Sequence, residues 1–354
     1  MLTPMNTRFR VAAVGLALMA LLNVSCVPRT VPRVSETELL LGTAVTITVQ
    51  QAGASRDMLR GAFARTKDIQ DRMSINDAAY DDTEVLRVND AAGESRVRVS
   101  PDTFRVIAEG VRYGELSDGA FDLTVEPLIR LWGFGRDVPR VPDPDVLADV
   151  LQSVDFRRIE LFDQTNEVFL PDATMGIDVG GIAKGFAADE AAAILRSDGV
   201  RHAILDFGGD IVTIGPRPDG APWRIGIQYP TGERGRYLGI LQSRDESVVT
   251  SGAYERFFVQ DGVRYHHIFD TSTGMPSDSG ITSATVIGES AMKTDALSTA
   301  AFVMGIDPAF DMLRGLPGYD AIIATADTIY MTPAVAERFE LRAEGYRVVV
   351  VNQP

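Results

Sequence analysis

The sequence predicts a single α+β domain that follows an exported leader and a short tether. Apolar residues recur at helical spacing in the first third of the chain, whereas short runs of β-branched and aromatic residues dominate from "HAILDF" (202–207) onward. The two kinds of segment do not alternate as regular βαβ units, and no internal repeat or second linker divides them. We therefore expect one mixed domain.

The composition is that of an acidic globular protein. The chain has 354 residues and 45% hydrophobic residues, which is enough to bury a full core. It carries 49 acidic against 34 basic residues, for a formal net charge of −15. This charge argues against a general affinity for nucleic acid or anionic lipid, because both require a positive field. An anionic ligand has to be bound by local charges.

Residues 1–25 have the layout of a secretory signal. Arg8 and Arg10 precede an apolar run over 11–22, roughly half of the ~20 residues that a membrane-spanning helix needs. Cys26, the only cysteine, follows the run and resembles the lipidation site of bacterial lipoproteins, although Asn23 stands where that motif prefers leucine. The alternative is ordinary cleavage beside an uninvolved thiol. We expect a protein exported to the periplasmic side of the cytoplasmic membrane and anchored there by lipid.

Residues 26–36 contain two prolines and no periodicity, which predicts a tether before a folded domain at 37–354. Leu39 to Val49 alternates β-branched residues and is predicted to be a strand. Apolar residues from Met58 to Met73 recur at helical spacing and predict a helix. Ser100 as N-cap and Pro101 after it begin a second helix, which should end near Gly114.

Three later segments complete the prediction. Residues 117–135 mix glycine, proline and aromatic residues, and we expect a loop there. Asp261-Gly262 predicts a tight hairpin turn between two short strands. The segment 290–305, "SAMKTDALSTAAFVMG", is helical in composition and closes with Gly305.

The segment 178–189, "DVGGIAKGFAAD", has the physical features of an anion site without a standard phosphate motif. Its glycine pair allows close backbone approach to a ligand, and a helix that begins near Ile182 would direct its positive end at an anion. Lys184 adds a formal charge at the same place. The alternative is a plain strand-to-helix turn with a surface lysine.

The segment 294–302, "TDALSTAAF", predicts a cluster of oxygen donors. Asp295, Ser298 and Thr299 stand at i, i+3 and i+4, so they share one face of a helix. Hard oxygen donors suit Mg²⁺, and no cluster of histidine or cysteine indicates zinc. The alternative for Asp295 is a helix-surface acid or cap.

Two of the three histidines, His266 and His267, are adjacent on a predicted strand, so their side chains should point to opposite faces. One of them can face a site while the other faces solvent or core. A histidine, with an ordinary pKa of about 6.5, is a reasonable general base for a hydroxyl. A pair of edge-strand histidines without a catalytic role is the alternative.

Taken in order, six segments resemble the successive motifs of the ApbE family of flavin transferases. They are "GAFDLTVEPLIRLWGFG", "DVGGIAKGFAAD", "LDFGGD", "SGAYERFF", "HHIFDTSTGMP" and "TDALSTAAFVMG". The resemblance implies an α+β fold with a central mixed or antiparallel β-structure flanked by helices. It also implies an enzyme that uses Mg²⁺ to cleave FAD. FMN would pass through a phosphoester to a threonine or serine of acceptor proteins, which are subunits of membrane redox complexes, and AMP would be released.

The resemblance also assigns roles to residues. It implies that His267 is the base toward the acceptor hydroxyl and that Asp295 is catalytic as a metal ligand. The metal set it implies is a backbone oxygen of Gly181 with Asp295, Ser298 and Thr299. Contacts to the flavin nucleotide are implied for Leu41, Asn76, Ala120, Phe121, Asp122, Asp178, Lys184 and Ile268.

Some positions depart from the family pattern. Leu41 stands where methionine is common, Asn76 where a tyrosine often contacts the flavin, and Thr271 where proline is usual. An FAD pyrophosphatase with water as acceptor would use the same site and is the first alternative function. A flavin-binding lipoprotein that stores FAD is the second, and the presence of Asp295, Thr299 and His267 argues against it.

Overall fold

A computed structural model of the protein describes residues 31–75, 80–134, 138–230 and 235–352. Within these ranges the helices are α1 (Asp57–Met73), α2 (Glu84–Asp90), α3 (Pro101–Leu116), α4 (Glu126–Trp132), α5 (Pro144–Leu151), α6 (Gly180–Ser197), α7 (Ala291–Met304), α8 (Ile306–Arg314) and α9 (Pro333–Ala336). The strands are β1 (Arg33–Leu40), β2 (Thr43–Gln50), β3 (Val97–Arg98), β4 (Glu160–Phe162), β5 (Glu167–Phe169), β6 (Ala203–Phe207), β7 (Asp210–Ile214), β8 (Trp223–Gln228), β9 (Tyr237–Ser243), β10 (Ser247–Gly252), β11 (Phe257–Gln260), β12 (Val263–His266), β13 (Ser283–Gly288), β14 (Asp320–Ala324), β15 (Thr328–Met331), β16 (Phe339–Leu341) and β17 (Arg347–Val350).

A nine-stranded sheet in the order β1-β2-β6-β7-β10-β13-β14-β15-β17 forms the centre of the fold. Its neighbouring strands are antiparallel except for the parallel pair β15 and β17. Strand β13 lies in the interior of the sheet and is buried along its whole length, so both of its faces must be covered. This mixed sheet flanked by helices confirms the predicted α+β class.

The two faces of the large sheet are covered differently. Helices α6 and α7 pack against each other on one face, where α7 lies across β10 and β13 and α1 packs outside α6. The second face packs against the small sheet β16-β9-β8 through Trp223, Leu241 and Ile322. A separate aromatic cluster around Trp132 and Phe269 supports the β11-β12 hairpin. The helix-covered face carries the candidate site.

Several local predictions are confirmed because they depend on short-range chemistry. Helix α1 matches the periodic segment, and the Ser100 side chain accepts the N–H of Thr103 at the start of α3. Asp261 and Gly262 both have positive φ angles, 52° and 80°, as a tight primed hairpin turn requires. Helix α7 ends at Met304, before Gly305.

Two sequence predictions differ from the structure near the amino-terminal end of the domain. Strand β1 begins at Arg33, so residues 33–36, which were assigned to the tether, belong to the sheet and pair with β2. The strand predicted over Leu39 to Val49 is interrupted by a turn, in which Leu41 and Gly42 have φ angles of 53° and 69°. Leucine is rarely left-handed, so nothing in its residue type indicated this turn.

The predicted loop over 117–135 is wrong in part, because it contains α4. Pro127 lies in the first turn of this helix, and Gly133 ends it in the left-handed conformation with φ 76°. Proline near the start and glycine after the end are helix-boundary signals as well as loop formers. None of the helices in the described ranges is both long and apolar enough to span a membrane. The predicted signal segment, Cys26 and Asn76 lie outside the described residues.

Candidate active site

The glycine turn before α6 is held from both sides. The Asn89 side chain donates to the carbonyl of Ile177 at 2.9 Å and accepts the N–H of Ile177 at 2.7 Å. Asp178 is buried, and its Oδ1 accepts the N–H of Gly180 at 2.5 Å. Helix α6 thus begins at Gly180, two residues before the expected start. The glycine pair and Lys184 therefore lie in the first two turns of a helix whose start is fixed.

Helices α6 and α7 approach closely because Gly185 has no side chain. A Cβ at Gly185 would lie 2.2 Å from the carbonyl oxygen of Ala291, which is an impossible contact. Asp189, one turn later on α6, accepts the N–H groups of Ala291 and Met292 at 2.8 and 3.0 Å. These carboxylate bonds satisfy donors at the first turn of α7. The helix pair is therefore fixed with Lys184 facing Asp295.

Lys184 lies between two buried carboxylates. Its Nζ donates to both oxygens of Asp295, at 3.2 and 3.1 Å, and lies 2.7 Å from Oδ2 of Asp210. The contact with Asp210 is a close ion pair, and that oxygen has no other polar partner among the described residues. The Gly185 N–H also donates to Asp295 Oδ2, at 3.1 Å. With both acids ionised, one negative charge in this cluster stays uncompensated.

Burial and charge act against each other in this cluster. Burial disfavours the charged ammonium of Lys184 and lowers its pKa. The negative charges of the adjacent Asp210 and Asp295 have the larger effect, so the pKa of Lys184 is raised above its ordinary value. Burial likewise raises the pKa of Asp210, where the charge of Lys184 opposes the shift and that of Asp295 adds to it. Lys184 thus stays cationic, and the surplus negative charge is destabilising.

A hydroxyl relay lies beside Asp295 on the same face of α7. Ser298 donates to the Asp295 carbonyl at 2.9 Å, since a carbonyl oxygen can only accept. Ser251 on β10 lies 2.8 Å from the Ser298 hydroxyl and therefore donates to it. Thr299, 3.0 Å from the Ser251 hydroxyl, must then donate to Ser251. This leaves the lone pairs of Thr299 free, and Thr299 is partly exposed whereas Ser298 is buried.

Gly181 and Phe121 adjoin this relay. A Cβ at Gly181 would lie 3.2 Å from the Phe121 ring and 3.9 Å from the Thr299 hydroxyl. The Asp122 carboxylate is buried and accepts from the N–H and hydroxyl of Thr124, at 2.7 and 2.6 Å. It also accepts the N–H of Phe156, at 3.0 Å. These hydrogen bonds hold the Asp122 side chain in place, and Ala120, two residues earlier, is half-buried.

The two histidines have different surroundings. His266 is buried, its Nε2 lies 3.1 Å from the Ser277 carbonyl, and its Nδ1 accepts the N–H of Ile268 at 3.3 Å. Because a carbonyl only accepts, Nε2 carries the proton, and both nitrogens of His266 are engaged. Ile268 is buried next to it, and its N–H and carbonyl are both bonded internally.

Of this pair, His267 is the one whose second ring nitrogen has no hydrogen bond among the described residues. Its Nδ1 lies 3.2 Å from the Arg256 carbonyl and must carry the proton, which leaves Nε2 as an acceptor. Loss of hydration and the charges of Arg256 and Lys184 lower the pKa of His267 to about 3. The ring is therefore neutral at physiological pH.

The β1-β2 turn closes the same region. A Cβ at Gly42 would lie 3.9 Å from the Arg256 guanidinium. The Leu41 N–H donates to Gln70, whose side-chain amide in turn bonds the hydroxyl of Tyr80. Asn76, four residues before Tyr80, lies outside the described residues. The β1-β2 turn thus lies next to Arg256, the residue whose carbonyl bonds the His267 ring.

Sequence reasoning missed several residues of this site. No group of three or more histidine, cysteine, aspartate or glutamate side chains that could hold a metal occurs in the described ranges, and the predicted metal set itself contains a single carboxylate. Three of these residues stand in the motifs that resemble the family, namely Asp210, Ser251 and Asp189. Nothing in their spacing along the chain links them to Lys184 or α7. "LDFGGD" carried the only signal, an acid after a glycine pair.

A known protein family and curated relatives match most of the chain. The sequence profile described as the ApbE family matches residues 41–323. The chain belongs to the ApbE family. It is 33% identical over 306 residues to the FAD:protein FMN transferase of Treponema pallidum (strain Nichols), covering 83% of this chain and 84% of that protein. It is 34% identical over 288 residues to the enzyme of the same name from Klebsiella pneumoniae (strain 342), covering 81% and 88%.

Solved structures of the family share the fold. The flavin transferase ApbE from Vibrio cholerae superimposes with a TM-score of 0.77 at 29% identity, covering 87% of this chain and 99% of that one. The ApbE protein from Thermotoga maritima gives a TM-score of 0.76 at 34% identity, covering 83% and 94%. This ApbE-family chain is therefore an enzyme, a transferase of the flavin-transferase type.

Proposed function

We propose that this enzyme cleaves the pyrophosphate of FAD and attaches FMN to a threonine or serine of an acceptor protein. The acceptor hydroxyl oxygen forms a bond to the phosphorus of the FMN half. The bond from that phosphorus to the bridging oxygen breaks, and AMP leaves with the electron pair. FMN is then held by a phosphoester, and the hydroxyl proton passes to a base.

The charge of the Lys184 cluster is the observation that carries this proposal. The cluster lies beside the partly exposed Gly181 and Thr299, and when both of its acids are ionised, two carboxylates against one ammonium give it a surplus negative charge. The FAD pyrophosphate carries two more negative charges, which such a cluster would repel. A divalent cation removes this repulsion. The chain's own charges thus favour a metal at this position.

The oxygen donors fit Mg²⁺. We infer that Asp295 and the Thr299 hydroxyl hold it, with the backbone oxygen of Gly181, because carboxylate, hydroxyl and carbonyl oxygens are its preferred ligands. The Gly185 N–H, one turn after Gly181, donates to Asp295, so the proposed ligands lie on helices that are joined directly at this point. When bound, Mg²⁺ neutralises phosphate charge. Ser298 supports Thr299 through Ser251.

His267 is suited to accept the hydroxyl proton. Its Nε2 has a free lone pair, and the Arg256 carbonyl fixes the tautomer and the ring orientation. The nearby charges that lower its pKa are positive, so an anionic pyrophosphate would shift the pKa upward toward that of a useful base. Arg256 is exposed and can meet the incoming phosphate.

One assay tests the reaction against its closest alternative. The protein is incubated with FAD, Mg²⁺ and a candidate acceptor, and a denaturing gel is inspected for a fluorescent flavin band. A labelled acceptor together with released AMP supports protein flavinylation. FMN and AMP without a labelled band would indicate an FAD pyrophosphatase, and unchanged FAD would contradict both enzymes in favour of FAD storage.

Export and lipid attachment are part of the same proposal. Arg8, Arg10, the apolar run over 11–22 and Cys26 support secretion followed by acylation, which would hold the enzyme at the outer face of the cytoplasmic membrane. Mass spectrometry of the mature amino terminus tests this. A chain that starts at a diacylglyceryl-modified Cys26 is expected, and an unmodified cysteine contradicts the anchor.

A further inference from the structure

Asp210 is a buried acid that the proposed reaction does not use. We propose that it is a positioning residue, which keeps the Lys184 ammonium at the site when a divalent cation occupies the Asp295 carboxylate. The inference rests on the proposed function, because it assumes that Asp295 binds Mg²⁺.

A cation and Lys184 would compete for the same carboxylate. Both oxygens of Asp295 already have a positive partner, at 3.1 and 3.2 Å from Nζ. A divalent ion on Asp295 would repel this ammonium. Asp210 Oδ2 is nearer to Nζ, at 2.7 Å, and lies on a different element of the fold. The ammonium can therefore shift to Asp210 and remain beside the phosphate-binding region.

The position of Asp210 is fixed by its turn. It is the first residue of β7, and it pairs with Phe207 across a turn in which Gly208 and Gly209 have φ angles of 70° and 104°. The side chain is buried, and its Oδ2 has no partner other than the Lys184 charge among the described residues. The backbone thus holds a carboxylate at the ammonium, independently of Asp295.

The same turn offers a matched control in Asp206. This acid is opposite Ile211 in the strand pair and neighbours Phe207, so it points to the other face of the sheet. Its Oδ1 accepts the N–H of Gly209 at 2.8 Å, and no ion pair joins it to Lys184 in the part of the chain that the structure describes. Asp206→Asn removes the same charge nearby without touching the ammonium.

The experiment measures binding of Mg²⁺ alone by calorimetry, after treatment of the protein with a chelator, and the melting temperature with and without Mg²⁺. Asp210→Asn should weaken Mg²⁺ binding by about 10- to 100-fold, as loss of an outer partner of a metal site does. Its melting temperature in chelator should equal or exceed that of the wild type, because one of two acids sharing one ammonium is gone. Asp206→Asn should bind Mg²⁺ nearly as the wild type does.

Four results would overturn the inference. Equal losses of Mg²⁺ affinity in the two variants would mean that only net charge matters. If Asp210→Asn bound Mg²⁺ as tightly as the wild type, Asp210 would have no positioning role. If this variant melted at a lower temperature than the wild type in chelator, the role of Asp210 would be structural. Asp210→Glu, which keeps the carboxylate, should recover part of the affinity. A wild-type protein that binds no Mg²⁺ would overturn the metal assignment itself, and this inference with it.

Discussion

The backbone N–H of Gly185 donates a 3.1 Å hydrogen bond to Oδ2 of Asp295, which joins helices α6 and α7 at the candidate site. A side chain at Gly185 would prevent this approach, since its Cβ would meet the Ala291 carbonyl at 2.2 Å. Helix packing at one glycine therefore decides whether Lys184 reaches Asp295.

Gly185→Ala should destabilise the protein by about 1–3 kcal/mol through overpacking. Transfer should fall as well, because Lys184 moves away from Asp295. Thermal unfolding and the flavinylation assay measure the two effects. Gly61→Ala, in the interior of helix α1, is the control. A Cβ at Gly61 would meet only the side chain of Ile194, at 3.2 Å. A Gly185→Ala protein as stable and active as this control would show that the close approach is not required.

Asp295→Ala should lower the rate of transfer by about 100-fold or more through loss of the cation, whose charge stabilisation amounts to several kcal/mol. The fold should persist, because Lys184 keeps Asp210 as its partner. Activity across a Mg²⁺ titration and the melting temperature are the measurements. Asp307→Asn, at an exposed position in the first turn of α8, serves as the control. Full recovery of the rate in excess Mg²⁺ would count against the assignment.

His267→Ala should slow transfer by roughly 10²- to 10⁴-fold, the usual contribution of a general base. Affinity for FAD, measured by equilibrium binding, should change far less. His266→Ala is the matched comparison and should instead lower stability by about 1–3 kcal/mol, because it leaves buried partners at Ser277 and Ile268 unsatisfied. Equal losses of FAD binding and rate in His267→Ala would remove its assignment as base.

The low pKa of His267 predicts a pH dependence of stability. The pKa is about 3 in the folded protein, whereas an unfolded histidine titrates near 6.5. Between these values the unfolded chain binds more protons, so the free energy of unfolding falls as the pH drops below about 6.5. His267→Gln removes this contribution. The melting temperature of His267→Gln minus that of the wild type should therefore be larger at pH 5 than at pH 7.5. A difference that is the same at both pH values would contradict the shifted pKa.

The sequence alone determined the features that depend on neighbouring residues. It placed Asp295, Ser298 and Thr299 on one helix face and the tight turn at Asp261-Gly262, because helical spacing and turn conformations are local properties. The acidic composition and the order of the motifs are likewise properties of the sequence. They sufficed for the fold class and the family.

Only the tertiary structure decided which groups act together. Lys184 and Asp295 are 111 residues apart, and their contact depends on the packing of α6 on α7 at Gly185. Strand pairing brings Asp210 to the ammonium, and internal bonds occupy His266 while leaving Nε2 of His267 free. Register and helix packing are properties of the whole chain, so no short segment of the sequence carries them.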